Sequence, residues 1–381
     1  MALTVVTAVL SVLALLGTAY SLAAAALAQR YRRVGTGSSG TQPAITILKP
    51  LHGAEPALAA NLRTTFAQEY SGPIQVVAGT RHAEDPANGV MASVAHDHPG
   101  VAFDPVASAT RHGANNKLSN LINMVARARH PVIVLADSDV AWPADALARL
   151  ATALADPGVG AASCLHAGRG DAGFWSTLAA MDISYRYMPS VILGTATGLA
   201  HPMLGPTMAL RRETLDAIGG FAAFGDVLAD DYEIGRAVRG LGLRTVVPPF
   251  FVTHSCPETT LRALVAHELR WSVTIYRIDP AGFAGSFVTH SLALALLAAL
   301  TGGFSLASLG VIAASMMGRL VLKRRMDVIS GIVSGPLWLM PLRDLISFGV
   351  FCATFFVHDV DWRGSKFRVS RDGRLENRAS S

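Results

Sequence analysis

The chain has 381 residues, of which 51% are hydrophobic and only 15% charged, too few polar side chains to cover a water-soluble surface of this size. A net charge of +5 arises from 32 Lys and Arg against 27 Asp and Glu, with the basic residues lying beside apolar segments, which suits anionic lipid and phosphate rather than nucleic acid. Cys164, Cys256 and Cys352 lie far apart without C-x-x-C spacing, so neither a disulfide framework nor a zinc site is indicated, and a reduced setting fits them.

Residues 1–30 open the chain with no charged side chain before Arg30, a stretch longer than the roughly 20 apolar residues needed to cross a bilayer. Small residues from Ala23 to Ala28 also fit a cleaved signal peptide. No basic residue precedes the run, however, whereas Arg30, Arg32 and Arg33 follow it, and this favours a retained anchor with the remainder of the chain in the cytoplasm. A lead-in rich in Gly and Ser, Gly35 to Thr41, lies within the linker 31–43.

Across 44–280 the composition becomes that of an α/β domain. Short apolar runs at Ile45 to Leu48, Ile74 to Ala78, Val132 to Ala136 and Arg244 to Val247 predict buried strands, while Ala57 to Phe66 and Asn116 to Ala128 predict helices. Alternating strands and helices imply a mostly parallel sheet covered on both faces, with ligands bound beyond the carboxyl ends of the strands.

The chemistry-bearing residues follow these elements. Asp85 comes after the second predicted strand and before Pro86, where a plain turn would also place an aspartate. Gly113-Ala-Asn-Asn-Lys117 sets a lysine at a helix start, a position that favours anions. The strand from Pro131 ends in Asp137-Ser-Asp139, whose carboxylates at i and i+2 point to the same side of an extended chain. Two such hard oxygen ligands suit Mg²⁺ or Mn²⁺ bound together with substrate phosphates, although helix capping near Pro143 is the competing role. Asp230-Asp231-Tyr232 precedes another helix, again with capping as the alternative. His267 and Arg270 share a helical face, followed by Trp271; a helix resting on the membrane surface would carry the same residues.

A C-terminal membrane region is expected over 281–360. From Pro280 to Gly318 the only ionisable group is His290, and Thr301-Gly302-Gly303 near the middle predicts two helices with a tight turn, returned to the cytoplasmic face by Lys323-Arg324-Arg325. Val328 to Val357 is broken by Pro336, Pro341, Arg343 and Asp344, so two short crossings or a re-entrant hairpin would both fit. The Arg343 and Asp344 pair is costly at membrane depth unless solvated or paired, and faces either a cavity or the headgroup level. A basic tail, 361–381, carries Arg363, Lys366, Arg368 and Arg371.

Taken in order, Asp85, Asn-x-Lys-x-x-Asn-Leu, Asp137-Ser-Asp139, Asp230-Asp231-Tyr232 and x-x-Arg270-Trp271, with an anchor before and a membrane region after, resemble the ceramide glucosyltransferase-like glycosyltransferases, inverting enzymes of GT-A fold. The resemblance runs from about Thr46 to Pro280, and Leu48-Lys-Pro-Leu-His-Gly-Ala-Glu-Pro56 is most similar to bacterial members associated with hopanoid biosynthesis. It implies that Asp85 holds the uracil end of a UDP-sugar and that Asp137 and Asp139 bind the metal and diphosphate. It further implies that Asp231 is the catalytic base, and that Arg270 and Trp271 close over the diphosphate and a lipid acceptor. Lys117 would support the diphosphate. His267 stands where the family usually has Gln or Arg, and two aspartates stand where ceramide-type members commonly have Asp-Ser-Gly, so a ceramide acceptor is not assumed. The subgroup likeness points to UDP-N-acetylglucosamine, a hopanoid acceptor and the bacterial inner membrane. A ceramide glucosyltransferase, a processive polysaccharide synthase, a polyprenyl-phosphate sugar synthase and a non-catalytic membrane scaffold are the alternatives.

Overall fold

The structure is a computed structural model that describes residues 1–32, 42–357, 359–362, 365–369 and 375–377. The lead-in from Gly35 to Thr41, and Arg363 and Arg371 of the basic tail, lie outside the described residues. The chain divides into two compact units.

One unit, Arg33–Ala167 with Ala200–Pro257, carries the main sheet. The strands up to Pro257 are β1 (Ile45–Pro50), β2 (Ile74–Thr80), β3 (Ala102–Ala107), β4 (Val132–Ala136), β5 (Val140–Ala141), β6 (Val159–Ser163), β7 (Leu165–Gly170), β8 (Thr207–Arg211), β9 (Arg244–Val246) and β10 (Phe251–Cys256); all lie in this unit except the end of β7, from Gly168 on. Seven of them form a sheet of order β3-β2-β1-β4-β8-β6-β9, while β5, β10 and β7 form a smaller one. β1 pairs in parallel with both β2 and β4, β2 with β3, and β6 with β9; β8 alone runs against its neighbours. This is the mixed α/β, mostly parallel, Rossmann-like arrangement of a GT-A domain. The four strands predicted from the sequence all lie in it, but the one at Arg244 is not buried as expected: β9 is the edge strand, with Arg244 exposed and only one neighbour to cover it.

Burial on both sides explains the apolar runs. Ile45, Ile47, Val132 and Val134 face Leu58, Leu62, Leu147 and Leu150 on one side. Leu48, Ile133 and Leu135 face Leu118, Leu121, Ile234 and Val238 on the other. Because successive residues of a strand point to opposite faces, an uninterrupted apolar strand can serve two layers at once. The strand order reverses between β1 and β4, and the crevice at such a reversal is where open α/β sheets bind ligands.

The other unit comprises Met1–Arg32, Gly168–Leu199 and Glu258–Ser381. Two stretches inside the expected 44–280 domain therefore pack with the apolar helices instead of with the sheet. Among the described residues, three helical stretches are long and apolar enough to cross a membrane, Ala2–Tyr31, Leu306–Ser330 and Leu337–Thr354; Pro280–Thr289 and Ser291–Thr301, bent by 64°, make a fourth if counted as one span. The N-terminal helix packs against Ser291–Thr301 and Leu306–Ser330 through small residues. A Cβ on Gly17 would collide with the Val288 carbonyl and Ser291, and the Thr18 hydroxyl lies 3.2 Å from that of Ser315. Close backbone approach of this kind is how apolar helices associate where lipid removes the hydrophobic drive.

Two sequence expectations for this region are corrected. The turn at Thr301 to Gly303 is present, with Gly303 at φ +69, but Lys323-Arg324-Arg325 lies inside Leu306–Ser330 and does not follow it. Lys323 is buried, its ammonium donating to Asp327 Oδ2 at 2.6 Å and lying over the Tyr185 ring. Val328 to Val357 contains one long helix, Met340–Thr354, preceded by a short 3-10 turn, in place of the two short crossings or re-entrant hairpin expected. Arg343 and Asp344 do not pair with each other: Arg343 bonds Glu268, and Asp344 accepts two hydrogen bonds from Arg319 at 2.6 and 2.8 Å. Adjacent residues on a helix point about 100° apart, so each finds its counter-charge on a different neighbour. Beyond the helices, β11 (Asp359–Trp362), β12 (Ser365–Val369) and β13 (Leu375–Asn377) form an antiparallel sheet.

Candidate active site

The site in the sheet-bearing unit is built on the segment that leaves β4. Asp137 N–H donates to the Pro206 carbonyl at 3.1 Å and Ser255 N–H donates to the Asp139 carbonyl at 2.8 Å, so the turn is held by backbone on two sides. From below, Lys49 on β1 donates to the carbonyls of Asp137 at 2.7 Å and Val140 at 3.4 Å. Asn61, on the helix Leu58–Phe66, donates to the Ser138 carbonyl at 3.3 Å, and the Ser138 hydroxyl donates to Glu55 at 3.1 Å. Neither aspartate caps a helix. The capping role falls instead to the backbone position of Asp145, ahead of Ala146–Leu154.

Around Asp137 the fold gathers residues from three further places in the sequence. The helix Asn116–Val125 begins at Asn115, whose side chain accepts from the N–H groups of Lys117 and Leu118 and donates to the Val227 carbonyl. That cap aims Lys117 inward, its Nζ 2.8 Å from Asp137 Oδ1 and 3.8 Å from Asp230 Oδ2. Asp230 and Asp231 open the helix Asp230–Gly240 without capping it through their side chains in the usual N-cap position, which Ala229 holds. Asp231 Oδ2 accepts from Gly205 N–H at 2.9 Å and Oδ1 from Tyr232 N–H at 2.8 Å, which fixes the carboxylate.

The electrostatics follow from this crowding. Burial, then the neighbouring Asp230, pushes the Asp231 carboxyl up to about 6, against the opposing pull of Lys117 and the two N–H donors. Asp137 is also raised, first by burial and with Asp139 adding to it, while Lys117 resists. For Lys117 burial alone would lower the ammonium, but Asp137, Asp230 and Asp231 together hold it above the ordinary lysine range. Lys49 goes the other way: fully buried, it is pushed down to about 8 despite Asp139, Asp137 and Glu55.

A divalent cation fits the donor set. Asp139 Oδ1 and Asp230 Oδ2 are buried carboxylate oxygens with no hydrogen-bond partner among the described residues, and leaving such groups unsatisfied is costly unless a cation or water reaches them. His254 on β10 brings Nδ1 to 3.8 Å from Asp139 Oδ1. Among the described residues no three His, Cys, Asp or Glu side chains form a group able to enclose a metal. An ion here would therefore complete its shell with substrate oxygens, as Mg²⁺ commonly does.

Asp85 serves as the N-cap of Pro86–His96. Its Oδ1 accepts from Ala87 N–H and from Gly53 N–H, both at 2.9 Å, which ties the loop after β1 to the loop after β2. Its Oδ2 lies 3.6 Å from His52 Nδ1.

His267, Arg270 and Trp271 belong to the other unit, on the helix Leu261–Ile278. His267 Nδ1 is paired with the buried Glu258, and its ring stands edge-on to Trp271 with centroids 5.0 Å apart. Trp271 in turn lies 5.8 Å from the Tyr187 ring. Arg270 is partly buried on the same helix.

Lys49, Glu55, Glu258 and His254 had no role assigned from the sequence. For Lys49 a signal existed, a lysine inside an otherwise apolar strand. His254 becomes visible only once β10 is paired with β5, opposite Val140.

These residues occur in a chain with clear relatives. Ceramide glucosyltransferase 1 of Caenorhabditis elegans is 20% identical over 356 residues, covering 90% of this chain and 75% of that protein. Ceramide glucosyltransferase 3 of the same organism is 20% identical over 230 residues, 60% of this chain, which spans 50% of that relative's length. Among solved structures, Mannosyltransferase PcManGT from Pyrobaculum calidifontis, in complex with GDP-Man and Mn²⁺, is similar at 21% identity and a TM-score of 0.48, over 91% of this chain and 99% of that one. The family model for glycosyl transferase family 21 matches residues 9–375. The chain belongs to glycosyl transferase family 21, and it is a glycosyltransferase.

Proposed function

We propose that the enzyme carries a sugar from a UDP-sugar to a lipid hydroxyl with inversion at the anomeric carbon, and that Asp231 is the base. One observation carries this reading: Lys117, Asp137, Asp230 and Asp231 converge beside the carboxyl end of β4, at the reversal of strand order. A carboxylate held at about 6 is a better proton acceptor at neutral pH than an ordinary aspartate, and a positioned base contributes about 10² to 10⁴ in rate. Lys117 would oppose the charge that builds on the departing diphosphate. Asp139, with Asp137 and with His254 alongside, would hold Mg²⁺ or Mn²⁺; when bound, the ion neutralises diphosphate charge. Asp85 is assigned to the uracil end of the donor, and Arg270 and Trp271 to the diphosphate and acceptor, on the family resemblance.

The apolar helices are read as holding the enzyme in a bacterial inner membrane with the sheet-bearing unit in the cytoplasm, where a lipid can present its hydroxyl without leaving the bilayer. For donor and acceptor we favour UDP-N-acetylglucosamine and a hopanoid, from the Leu48 to Pro56 likeness. The C. elegans relatives favour a second reading, UDP-glucose and ceramide.

Purified Asp231→Asn should bind UDP-sugar with near wild-type affinity and transfer nothing; wild-type turnover by this variant would reject the base assignment. Mass spectrometry of lipids from cells with and without the protein separates the two acceptor readings, since one adds a hexosamine to a hopanoid and the other a hexose to a ceramide.

A further inference from the structure

Arg343 lies in the candidate span Leu337–Thr354 and is only 1% exposed. An arginine there is tolerated only if every donor is met. It is: Nη1 and Nη2 donate to the two oxygens of Glu268 at 2.6 and 2.7 Å, Nε and Nη2 donate to the Ser347 hydroxyl at 3.1 and 3.0 Å, and Nη1 reaches the Leu178 carbonyl at 3.4 Å. The Ser347 hydroxyl donates to Asp182 Oδ1 at 2.7 Å, and Asp182 is clamped by Arg186 at 2.6 and 2.7 Å. Two arginines thus face two carboxylates, and the network closes without a stranded charge.

Adhesion alone does not explain this arrangement. Replacing a buried ion pair by apolar residues of similar volume is often neutral or stabilising, so two helices could be joined more cheaply by leucines. What a bidentate fork adds over an apolar contact is direction. Glu268 sits next to His267 and three residues before Trp271, on the same helix as Arg270. Residues three apart share a helical face, so clamping both oxygens of Glu268 fixes the rotation of Leu261–Ile278 about its axis.

We propose that the Arg343–Glu268 pair is a positioning device, in which the membrane helix Met340–Thr354 sets the rotation of Leu261–Ile278 and thereby the direction in which His267, Arg270 and Trp271 are presented. The inference rests on the reading that Arg270 and Trp271 take part in transfer. Neither Arg343 nor Glu268 touches substrate; both act through the residues beside Glu268.

The test uses the full chain in nanodiscs with UDP-sugar and lipid acceptor, rates being expressed per folded molecule. Arg343→Lys keeps the buried charge but loses the fork, and the pair Glu268→Leu with Arg343→Leu removes both charges together. Misplacement of a catalytic group by about 1 Å can cost on the order of 10²-fold, so kcat should fall about 10- to 100-fold in both variants. Donor KM should change less than about 3-fold, and the thermal midpoint of the double-leucine variant should be no lower than that of the wild type. Wild-type kcat in either folded variant overturns the proposal; if one of the two does not fold, the other decides. Arg270→Ala is the control. Should it turn over like the wild type, the role read for Arg270 fails, whereas inactivity of Arg270→Ala beside full activity of Arg343→Lys sinks the positioning device alone.

Discussion

The carboxyl of Asp231, the proposed base, is raised first by burial and then by its neighbour Asp230, and the ammonium of Lys117 only partly offsets them. Protonation of the proposed base in the free enzyme should therefore give kcat/KM an acidic limb near pH 6. Lys117→Met removes a cation that lowers Asp231, so the limb should move to higher pH as well as the plateau falling; a limb that stays put under a pH-rate titration would separate Lys117 from Asp231. Stability runs in the opposite direction to activity. A carboxyl raised in the folded state contributes stability that is present below its unfolded value of about 4 and lost as pH rises through about 6. Asp231→Asn should thus stabilise the fold at pH 8 by of order 1 kcal/mol, after allowing for solvent at a partly exposed group, read as a higher thermal midpoint, and leave the midpoint nearly unchanged at pH 4. At His267 the partner is the buried Glu258. Gln can donate to the same carboxylate where Ala cannot, so His267→Gln should keep most of the turnover and His267→Ala should lose at least about 10-fold.

Among the elements, β1 shows how one strand serves both core and site. Ile45, Ile47 and Leu48 fill the two apolar layers, and the next residue, Lys49, carries its ammonium under the Asp137 to Val140 turn. Lys49→Met preserves the stem's volume and removes the two bonds to the turn. The fold should survive, while Mn²⁺ affinity read by electron paramagnetic resonance should drop about 10- to 100-fold, the usual effect of losing an outer-shell support. In the helical unit the comparable element is the N-terminal helix, which meets its neighbours through Gly17 and Thr18. Gly17→Leu forces the helices apart and should destabilise the unit by about 1 to 3 kcal/mol, measured as a lower thermal midpoint in detergent. The sequence made the length and polarity of this helix plain, and the crossing face was invisible until the partners Val288, Ser291 and Ser315 were placed.

At the scale of the whole molecule, the helical unit is assembled from three separated pieces of chain. Cutting after Pro280, where the composition changes, would strip Gly168–Leu199 of buried partners: Asp182 would lose Ser347, Tyr185 would lose Asp327, and Ser184 would lose Ser334. Asp182 keeps Arg186 and Ser184 keeps Gly168 N–H, but the Tyr185 hydroxyl loses both Asp327 and Ser334, and an unmet buried polar group costs about 1 to 3 kcal/mol, a large share of a domain's marginal stability. A fragment ending at Pro280 should therefore show fast hydrogen exchange across 168–199, and slow exchange there would mean that the segment folds without the later helices.

The sequence by itself determined the apolar helices, the buried strands and the acidic motifs at their ends, because each is a local pattern: a charge-free run, an alternation of elements, two carboxylates spaced two apart. It also placed the order of motifs from which the family resemblance came. Only the tertiary structure decided that Lys117 meets Asp137 and Asp230, that Lys49 and His254 stand beside the aspartates, and that Arg343 and Asp344 have different partners. Those are encounters between residues far apart in the chain, set by strand order and helix rotation, and a one-dimensional pattern holds no distance between them.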